Sequence, residues 1–377
     1  MNESCTYIKN NISSIKEQLL FIASIYSPTF SERKKVRYLK ACLKSYGLEN
    51  VQQDKIGNLS TYVPGETNET ILLCAHMDTA LALKNNPVYE HGDKLYGHGV
   101  CDNTAGIVAL LTLLKYLSEK KKKPYYGLKI LFTVQEEGLG GKNGIKQFLK
   151  QTKTSFNAVI NVESHNVGRI TVSSIGQFRV QISINTKKGG HSWRDYGNKN
   201  AVVLLSELIY NASQHRNMFK NGESSFNWSL IQGGSSINAI PSNSSVYYEL
   251  RTIKQTEFLL LKQKFYNEIH NFKKKHTDTE LDMKVIADSE PANISEDDQL
   301  VRYTKKIHAK LKISSILNSG NTDGDVPLEL HIPTVTIGTS IGSNTHSPDE
   351  YLEILSLVKG YAQVLELINN LHQLNYK

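Results

Sequence analysis

Six histidine and carboxylate side chains of this sequence stand at the ends of short apolar runs or in the loops that adjoin them. They are His76, Asp102, Glu136, Glu137, Glu163 and His346. The runs ILLCA, KILFTV, AVINV and TVTIG are typical of buried strands, and ligands collect at the carboxyl ends of strands in α/β sheets. Separate segments of the chain could therefore bring these side chains to one edge of one sheet.

The residue types favour metal-dependent chemistry. Two histidines and three carboxylates suit a pair of borderline divalent cations such as zinc. Each residue alone is a weak signal, because a histidine after a strand is more often structural and Asp102 could simply cap the following helix. Adjacent Glu136 and Glu137 point in different directions if the chain is extended there. One ligand and one free base is then the natural division between them.

Segments around these residues resemble the M20 family of metallopeptidases and deacylases. HMDTA resembles the family's H-x-D-x-x motif, LYGHGVCDNTAGIVALL its G-x-G-x-x-D-x-x-x-G segment, and VQEEGLGGKNG its Glu-Glu segment. HSPDE resembles the C-terminal histidine motif, and GGHS, NAIPSNSSVYYELR and SGNTDGD resemble further family blocks. The resemblance covers essentially the whole chain and preserves the order of the motifs.

The resemblance implies a centre with two divalent metal ions per chain. Zinc is the preferred ion, and cobalt and manganese are alternatives. Asp102 would bridge both ions. His76 and Glu163 would complete one site, and Glu137 and His346 would complete the other.

The resemblance also implies catalytic and substrate-binding roles. Glu136 would be the general base that takes a proton from water and delivers it to the leaving amine. Asp78 would hold the imidazole of the first histidine ligand through its carboxylate. His191, often supplied by a partner subunit, would stabilise the tetrahedral oxyanion. The residues expected to contact substrate are Asn238, Arg251, Gly320 and Thr322.

The patterns between the motifs predict the elements that position these residues. Residues 11–46 should form two helices, 59–63 and 70–75 two strands, and 104–119 a helix. Strands alternating with helices predict an α/β fold, a mostly parallel sheet with helices on both faces. After residue 291 this pattern returns, with helices at 297–310 and from 349 to about 371.

The pattern of apolar and polar residues changes in the middle of the chain. FRVQISI and VYYELRT alternate with period two, so each should have one covered face. With helices near 201–213 and 257–274 and the strand MKVIA, they predict an α+β unit of a four-stranded antiparallel sheet and two helices. We therefore expect residues 1–168 and 289–377 to form a catalytic metal-binding domain, and residues 169–288 an inserted lid or dimerisation domain.

The composition and charge of the chain argue against membrane, secreted and nucleic-acid-binding proteins. The chain has 377 residues, of which 39% are apolar, and a net charge of +8. No run of 18 residues is uniformly apolar, and the start MNESCTYIKNNISSIKEQ lacks the layout of a secretory signal, so we expect a cytoplasmic protein without a membrane partner. The lysines are scattered, which argues against a nucleic-acid partner. The net positive charge favours anionic substrates. The four cysteines fit no C-x-x-C spacing, which favours reduced thiols.

The function expected is hydrolysis of an amide bond in a small molecule or short peptide that bears a carboxylate. An N-acyl-amino-acid deacylase or carboxypeptidase-like enzyme is preferred, because Glu163 resembles that subclass. The family's aminopeptidases usually have aspartate there, so a di- or tripeptidase with aminopeptidase action is the alternative. A non-catalytic metal-binding module and an amide-forming biosynthetic enzyme are further alternatives. The expected assembly is a homodimer.

Overall fold

The structure is a computed structural model that describes residues 2–80, 83–214 and 223–376. The chain folds into two compact units. One comprises Met1–Ser174 and Asn293–Lys377, and the other comprises Ile175–Ala292. We call them the large unit and the inserted unit.

Helices occur in both units. Within the described residues they are α1 (Glu3–Asn10), α2 (Ile12–Ser24), α3 (Arg33–Ser45), α4 (Gly106–Glu119), α5 (Asn143–Gln151), α6 (Ala201–Ser213), α7 (Gln255–Lys275), α8 (Gln299–Lys310), α9 (Asp325–Glu329) and α10 (Ser356–Asn369). A π-helical turn, Val100–Ala105, runs directly into α4. The sequence patterns predicted α4 and α6 to α8 to within a few residues, but did not predict α1, α5 or α9.

Strands form the central layer of each unit. Within the described residues they are β1 (Gln52–Gln53), β2 (Leu59–Val63), β3 (Thr70–His76), β4 (Tyr89–His91), β5 (Lys94–Tyr96), β6 (Gly127–Thr133), β7 (Ala158–His165), β8 (Arg169–Ser174), β9 (Gly176–Thr186), β10 (Gly190–His191), β11 (Ser224–Gly233), β12 (Ala239–Ile240), β13 (Asn243–Thr252), β14 (Thr279–Ser289), β15 (Ile316–Gly320), β16 (Thr334–Ser340), β17 (Gly342–Ser343) and β18 (Tyr351–Glu353).

The large unit is built on a mostly parallel sheet, as predicted. Its strand order is β1-β2-β6-β3-β7-β16-β8-β15. The inner strands β6, β3, β7 and β16 run parallel to their neighbours within this group. The chain leaves β3 on one side to form β6 and returns on its other side to form β7. The carboxyl ends of β3 and β7 therefore flank a topological switch point, where α/β sheets bind ligands.

Both faces of this sheet are covered, and β3 shows why its run is continuously apolar. Ile71, Leu73 and Ala75 belong to the main hydrophobic core, which includes α4 and α10. Leu72 and Cys74 belong to a second cluster on the other face, with residues of α5 and α9. A strand buried on both faces has no position for a polar side chain until it ends.

The inserted unit contains the predicted four-stranded antiparallel sheet, in the order β11-β13-β9-β14. Alternate side chains of β9, such as Val180 and Ile182, are fully buried against Leu205 of α6 and Phe265 of α7. The period-two pattern therefore identified the covered face of the sheet.

One expectation was wrong. The last helix begins at Ser356 instead of 349, because Tyr351–Glu353 pairs with β5 as β18.

The stretch Val100–Glu119 is long and apolar enough to cross a membrane by length and composition alone. Because 94% of its most apolar window is buried, it has the character of a core helix.

Candidate metal centre

The strand ends bring several predicted site residues to one edge of the large sheet. His76 is the last residue of β3 and is level with Thr133, the last residue of β6. Glu163 lies near the end of β7, two strands from β6. Glu136 and Glu137 follow β6 after a left-handed residue, Gln135, whose φ is 58°.

Asp102 and His346 reach this edge from loops. Asp102 lies in the π-helical turn before α4. His346 lies between β17 and β18 in the left-handed region, with φ of 63°, a conformation that residues other than glycine adopt at a cost and often at functional sites.

The two carboxylate oxygens of Asp102 face two different histidines. Oδ1 lies 3.1 Å from Nε2 of His76, which is also 3.8 Å from Oε2 of Glu163. Oδ2 lies 3.3 Å from Nε2 of His346, which is also 3.0 Å from Oε1 of Glu137. The five side chains thus form two groups of one histidine and one carboxylate, with Asp102 shared between them.

The spacing of these atoms fits divalent cations. Tetrahedral zinc binds nitrogen and oxygen at about 2.0–2.1 Å, which places neighbouring ligand atoms about 3.4 Å apart. The nitrogen–oxygen separations above lie around that value. One ligand atom each from His76, Asp102 and Glu137 also lie within 4.8 Å of one another. The donor set, imidazole nitrogen with carboxylate oxygen, is the one that zinc, cobalt and manganese accept.

The electrostatics of the cluster also favour positive charge. Burial opposes protonation of His76, but the neighbouring carboxylates, Glu163 foremost, raise its pKa well above the usual range. Hydrogen bonds to Asp102 and Glu137 raise the pKa of His346 to about 10. A field that holds protons on two imidazoles will also attract metal cations, which compete for the same nitrogen atoms.

Asp78 supports the cluster in a way that differs from the expected one. Nδ1 of His76 hydrogen-bonds the backbone carbonyl of Asp78 at 3.0 Å, whereas the nearest carboxylate oxygen is 3.7 Å away. The carboxylate accepts the backbone N–H groups of Glu136 at 3.0 Å and Glu137 at 2.9 Å. It therefore fixes the segment after β6, and the main chain orients the imidazole.

Glu136 is placed differently from the five clustered side chains. It lines a cavity of about 240 Å³ together with the cluster and the segment Gly320–Thr322. Among the described residues its carboxylate has no hydrogen-bond partner. Enclosure in the cavity raises the pKa of this carboxyl well above its usual range. An unengaged carboxylate beside a cation site can exchange a proton with a molecule in the cavity.

Comparison with known proteins agrees with this geometry. The profile of peptidase family M20/M25/M40 matches residues 72–370. This protein belongs to that family. The M20 chain is 25% identical over 344 residues to a LysW-lysine/LysW-ornithine hydrolase of Sulfurisphaera tokodaii, covering 90% of each chain. It is 26% identical over 231 residues to carboxypeptidase G2 of a Pseudomonas species, covering 59% of this chain and only 55% of that relative.

A solved structure shows the same fold. A tripeptidase from Staphylococcus aureus has a TM-score of 0.77 and 21% identity, and the match covers 95% of this chain and 98% of that one. Family membership makes this M20 protein a metallohydrolase that acts on amide bonds. One solved member of the family, a Bacillus subtilis protein, is a dinuclear metal-binding peptidase. The non-catalytic module considered from the sequence is thereby set aside.

The segment Gly320–Thr322 contains two of the residues that were expected to contact substrate, Gly320 and Thr322. Oγ1 of Thr322 donates to Oε1 of Glu163 at 2.5 Å and accepts from Nδ2 of Asn161 at 2.9 Å. Thr322 is only 4% exposed, so its hydroxyl is directed at the carboxylate in this structure. Gly320 ends β15 and lines the cavity.

The loop that carries Asp102 is held by a residue that sequence reasoning missed. Oε1 of Glu350 accepts the N–H groups of Cys101 at 2.8 Å and Asp102 at 2.7 Å, and Oε2 accepts that of Gly99 at 2.9 Å. Gly99 has φ of 75°, and a Cβ there would lie 2.5 Å from the side chain of Thr79. Glu350 belongs to the HSPDE motif that contains His346, so its sequence neighbourhood was the available signal.

Two cations near the M20 site were also missed. Lys142 is 2% exposed, and its Nζ lies 2.7 Å from both Oδ2 of Asp325 and Oδ1 of Asn321. This buried pair ties the loop after Glu137 to the loop that contains Thr322. Arg169 begins β8 and lines the cavity. No sequence motif marked Arg169. Its position at this edge depends on the antiparallel pairing of β8 with β16, which places the start of β8 there.

The remaining predicted residues lie in the inserted unit. Strand β10 pairs with β12, so that His191 opposes Ala239 and the N–H of Ser192 donates to the carbonyl of Asn238 at 2.9 Å. Arg251 lies near the end of β13, and its Nε is 3.1 Å from Oε1 of Glu249. Within this unit, His191 and Asn238 are therefore neighbours, and Arg251 is paired with an acid.

Proposed function

We propose that this protein is an N-acyl-amino-acid deacylase or a carboxypeptidase-like enzyme that hydrolyses an amide bond in a small substrate bearing a carboxylate. The observation that carries the proposal is the division of the two oxygens of Asp102 between two histidine–carboxylate pairs, with Glu136 unengaged beside them. Such an arrangement supplies ligands for two ions and leaves one carboxylate for proton transfer.

The ligand assignment follows those distances. His76 and Glu163 would hold one ion, Glu137 and His346 would hold the other, and Asp102 would contribute one carboxylate oxygen to each. We propose zinc as the resident metal, with cobalt or manganese as alternatives. When bound, two such ions lower the pKa of a shared water and polarise the amide carbonyl.

Glu136 acts as the general base in this proposal. Its carboxylate takes a proton from the attacking water and later delivers it to the nitrogen of the leaving amine. The hydrogen bond from its backbone N–H to Asp78 fixes the position of the residue, while its carboxylate stays unengaged. Thr322 keeps the Glu163 carboxylate oriented through its hydroxyl, and Gly320 leaves room for substrate in the cavity.

His191 donates a hydrogen bond to the developing oxyanion. Its Nδ1 accepts the backbone N–H of Trp193 at 3.3 Å, so the proton of the neutral ring belongs on Nε2. Asp195 accepts the N–H of His191 at 2.7 Å and fixes the turn. The Nε2–H is therefore available as a donor, which is the form that an oxyanion requires.

Substrate carboxylate recognition is assigned to Arg251 and Asn238. A guanidinium binds a carboxylate through two parallel hydrogen bonds. Oε1 of Glu249 accepts a hydrogen bond from Nε of Arg179 at 2.6 Å and forms an ion pair with Arg251, whose Nε is 3.1 Å away. A substrate would therefore share Arg251 with this acid. Asn238 would add a donor from the neighbourhood of His191.

A di- or tripeptidase with aminopeptidase action is the second candidate, because the similar structures include a tripeptidase. The relatives by sequence include a carboxypeptidase and a LysW-lysine/LysW-ornithine hydrolase, which support the first. Glu at position 163 favours the first as well.

We propose that the inserted unit is a lid or dimerisation domain and that the enzyme is a homodimer. Its edge strand β11 exposes Leu230 and Ile231 at 68% and 59%, and the adjoining helix α6 exposes Val203 and Tyr210 at 62% and 67%. An unpaired strand edge with exposed apolar residues is a common pairing surface. The four free cysteines agree with a cytoplasmic enzyme.

A hydrolysis screen tests the proposal. Zinc-reconstituted enzyme is assayed with N-acyl-amino acids and with free-amine dipeptides, and we expect turnover of the acylated compounds. Glu136→Gln should keep its fold and metal but lose at least about 10²-fold in kcat, the lower end of general acid–base contributions. Loss of metal with retained turnover of the remaining metallated enzyme would mean that the roles of Glu136 and Glu137 are exchanged.

A further inference from the structure

Lys35, on α3, is a lysine enclosed within the large unit. Only 1% of the residue is exposed, and its Nζ lies 3.5 Å from the hydroxyl of Thr79. Burying an ammonium is unfavourable unless opposite charges surround it. Three carboxylates are brought to this place by the fold. Glu32 stands at the start of α3, three residues before Lys35, and Asp78 directly precedes Thr79. Glu350 accepts the N–H of Gly99, whose Cβ position would lie 2.5 Å from the side chain of Thr79. The charges of all three act on the ammonium.

Two of these carboxylates hold the segment after β6. Asp78 accepts the N–H groups of Glu136 and Glu137. Glu32, which is 5% exposed, accepts the N–H of Gln135 at 3.1 Å. Three consecutive backbone donors of this segment are thus bound to buried acids beside Lys35.

The third carboxylate holds the other side of the site. Glu350 is 1% exposed and accepts N–H groups from Gly99, Cys101 and Asp102. The loop that presents the bridging carboxylate is therefore fixed by an acid that acts on the same ammonium. The spacing between the two loops depends on how closely these acids can approach each other.

We propose that Lys35 is a positioning residue, whose buried ammonium balances these three carboxylates and so sets the spacing of the two loops that form the metal site. The inference rests on the proposed function, since it concerns the ligand geometry of that site. Three carboxylates in a low-dielectric interior repel one another strongly unless a cation lies near them. Because each is hydrogen-bonded to a loop backbone, relief of that repulsion moves the loops.

The first test is Lys35→Met, which keeps a straight apolar side chain and removes the charge. We expect the affinity for Zn²⁺, measured by calorimetric titration of the metal-free protein, to fall about 10–100-fold, the usual effect of losing a supporting group. Lys129→Met is the matched control. Lys129 is a half-buried lysine on β6 whose pKa is lowered by burial alone, so its loss should leave the affinity unchanged.

A second substitution, which removes one negative charge, distinguishes a charge-balancing role of Lys35 from a simple packing role. Both backbone donors to Glu32, from Phe30 and Gln135, go to the same oxygen, Oε1. Glu32→Gln therefore keeps both hydrogen bonds and removes one negative charge. The double variant Lys35→Met/Glu32→Gln should recover about 10-fold of the lost Zn²⁺ affinity, as expected when a supporting charge is rebalanced. A packing role for Lys35 predicts no recovery.

Urea unfolding of the metal-free wild type, Lys35→Met, Glu32→Gln and the double variant completes the test. The two substitutions should be less destabilising together than the sum of their separate effects. If wild-type protein bound no Zn²⁺, the proposed function would fail, and this cycle would still decide the role of Lys35. If Lys35→Met did not fold, the double variant should. Unchanged Zn²⁺ affinity in Lys35→Met, or additive effects throughout, would overturn the inference.

Discussion

Asp78→Asn is the perturbation for which the structure supplies most detail. Asp78 is fully buried, and its Oδ1 accepts the N–H of Glu136 at 3.0 Å. Its Oδ2 accepts the N–H of Glu137 at 2.9 Å and the hydroxyl of Thr29 at 2.9 Å. Asparagine has nearly the same shape but replaces one of these acceptor oxygens by an NH₂ donor.

The effect of Asp78→Asn depends on the three groups that donate hydrogen bonds to Asp78. The hydroxyl of Thr29 can turn to accept from NH₂, but a backbone N–H cannot, so the amide nitrogen faces the N–H of Glu137 with two donors opposed. One hydrogen bond to a charged acceptor, worth about 1.5–3 kcal/mol, is lost, and the other becomes a weaker neutral one. The free energy of unfolding should therefore fall by about 2–4 kcal/mol.

Catalysis should be affected as well as stability. Glu137 is an assigned ligand and Glu136 the assigned base, and both lose the carboxylate that fixes their backbone. A displacement of about 1 Å in a reacting group can cost about 10²-fold in rate, so kcat should fall by about that factor. The affinity for Zn²⁺ should fall by about 10–100-fold.

The assay is urea unfolding of the metal-free protein, Zn²⁺ titration, and initial rates with the best substrate of the screen. Thr29→Val is the control, because it removes a donor to the same carboxylate and leaves both glutamate contacts in place. It should cost stability without a large change in kcat. If Asp78→Asn kept kcat and Zn²⁺ affinity within twofold of the wild type, the backbone contacts of Asp78 would not set the site geometry.

Three further outcomes are expected. His346→Ala should lower the metal content from two ions to about one per chain by elemental analysis, because the pair formed by His76 and Glu163 stays intact; a chain that binds none after reconstitution would contradict the two-site assignment. Arg251→Ala should raise KM for substrates with a free carboxylate and spare the matching carboxamides. Equal harm to both would mean that Arg251 serves only its pair with Glu249. Light scattering should give a dimer with closed symmetry, and a monomer would leave His191 to act within its own chain.

Much of this fold could be predicted because it follows from local rules. ILLCA is buried on both sides, so it had to be a central strand, and the first polar residue after it had to lie at the sheet edge. The period-two runs of the inserted unit identified its covered face for the same reason. The start of the last helix was mispredicted because the pairing of β18 with β5 joins segments about 250 residues apart.

The sequence by itself determined which residue types end the strands or lie in the adjoining loops, and therefore the chemistry available at the sheet edge: two imidazoles, three clustered carboxylates and one further glutamate. Only the tertiary structure decided which oxygen of Asp102 faces which histidine, and which groups hold the loops in place. Glu350 and Gly99 are separated by 251 positions, and Lys142 and Asp325 by 183. No periodicity connects residues so far apart, because their contact depends on how the whole sheet and its crossovers close around the site.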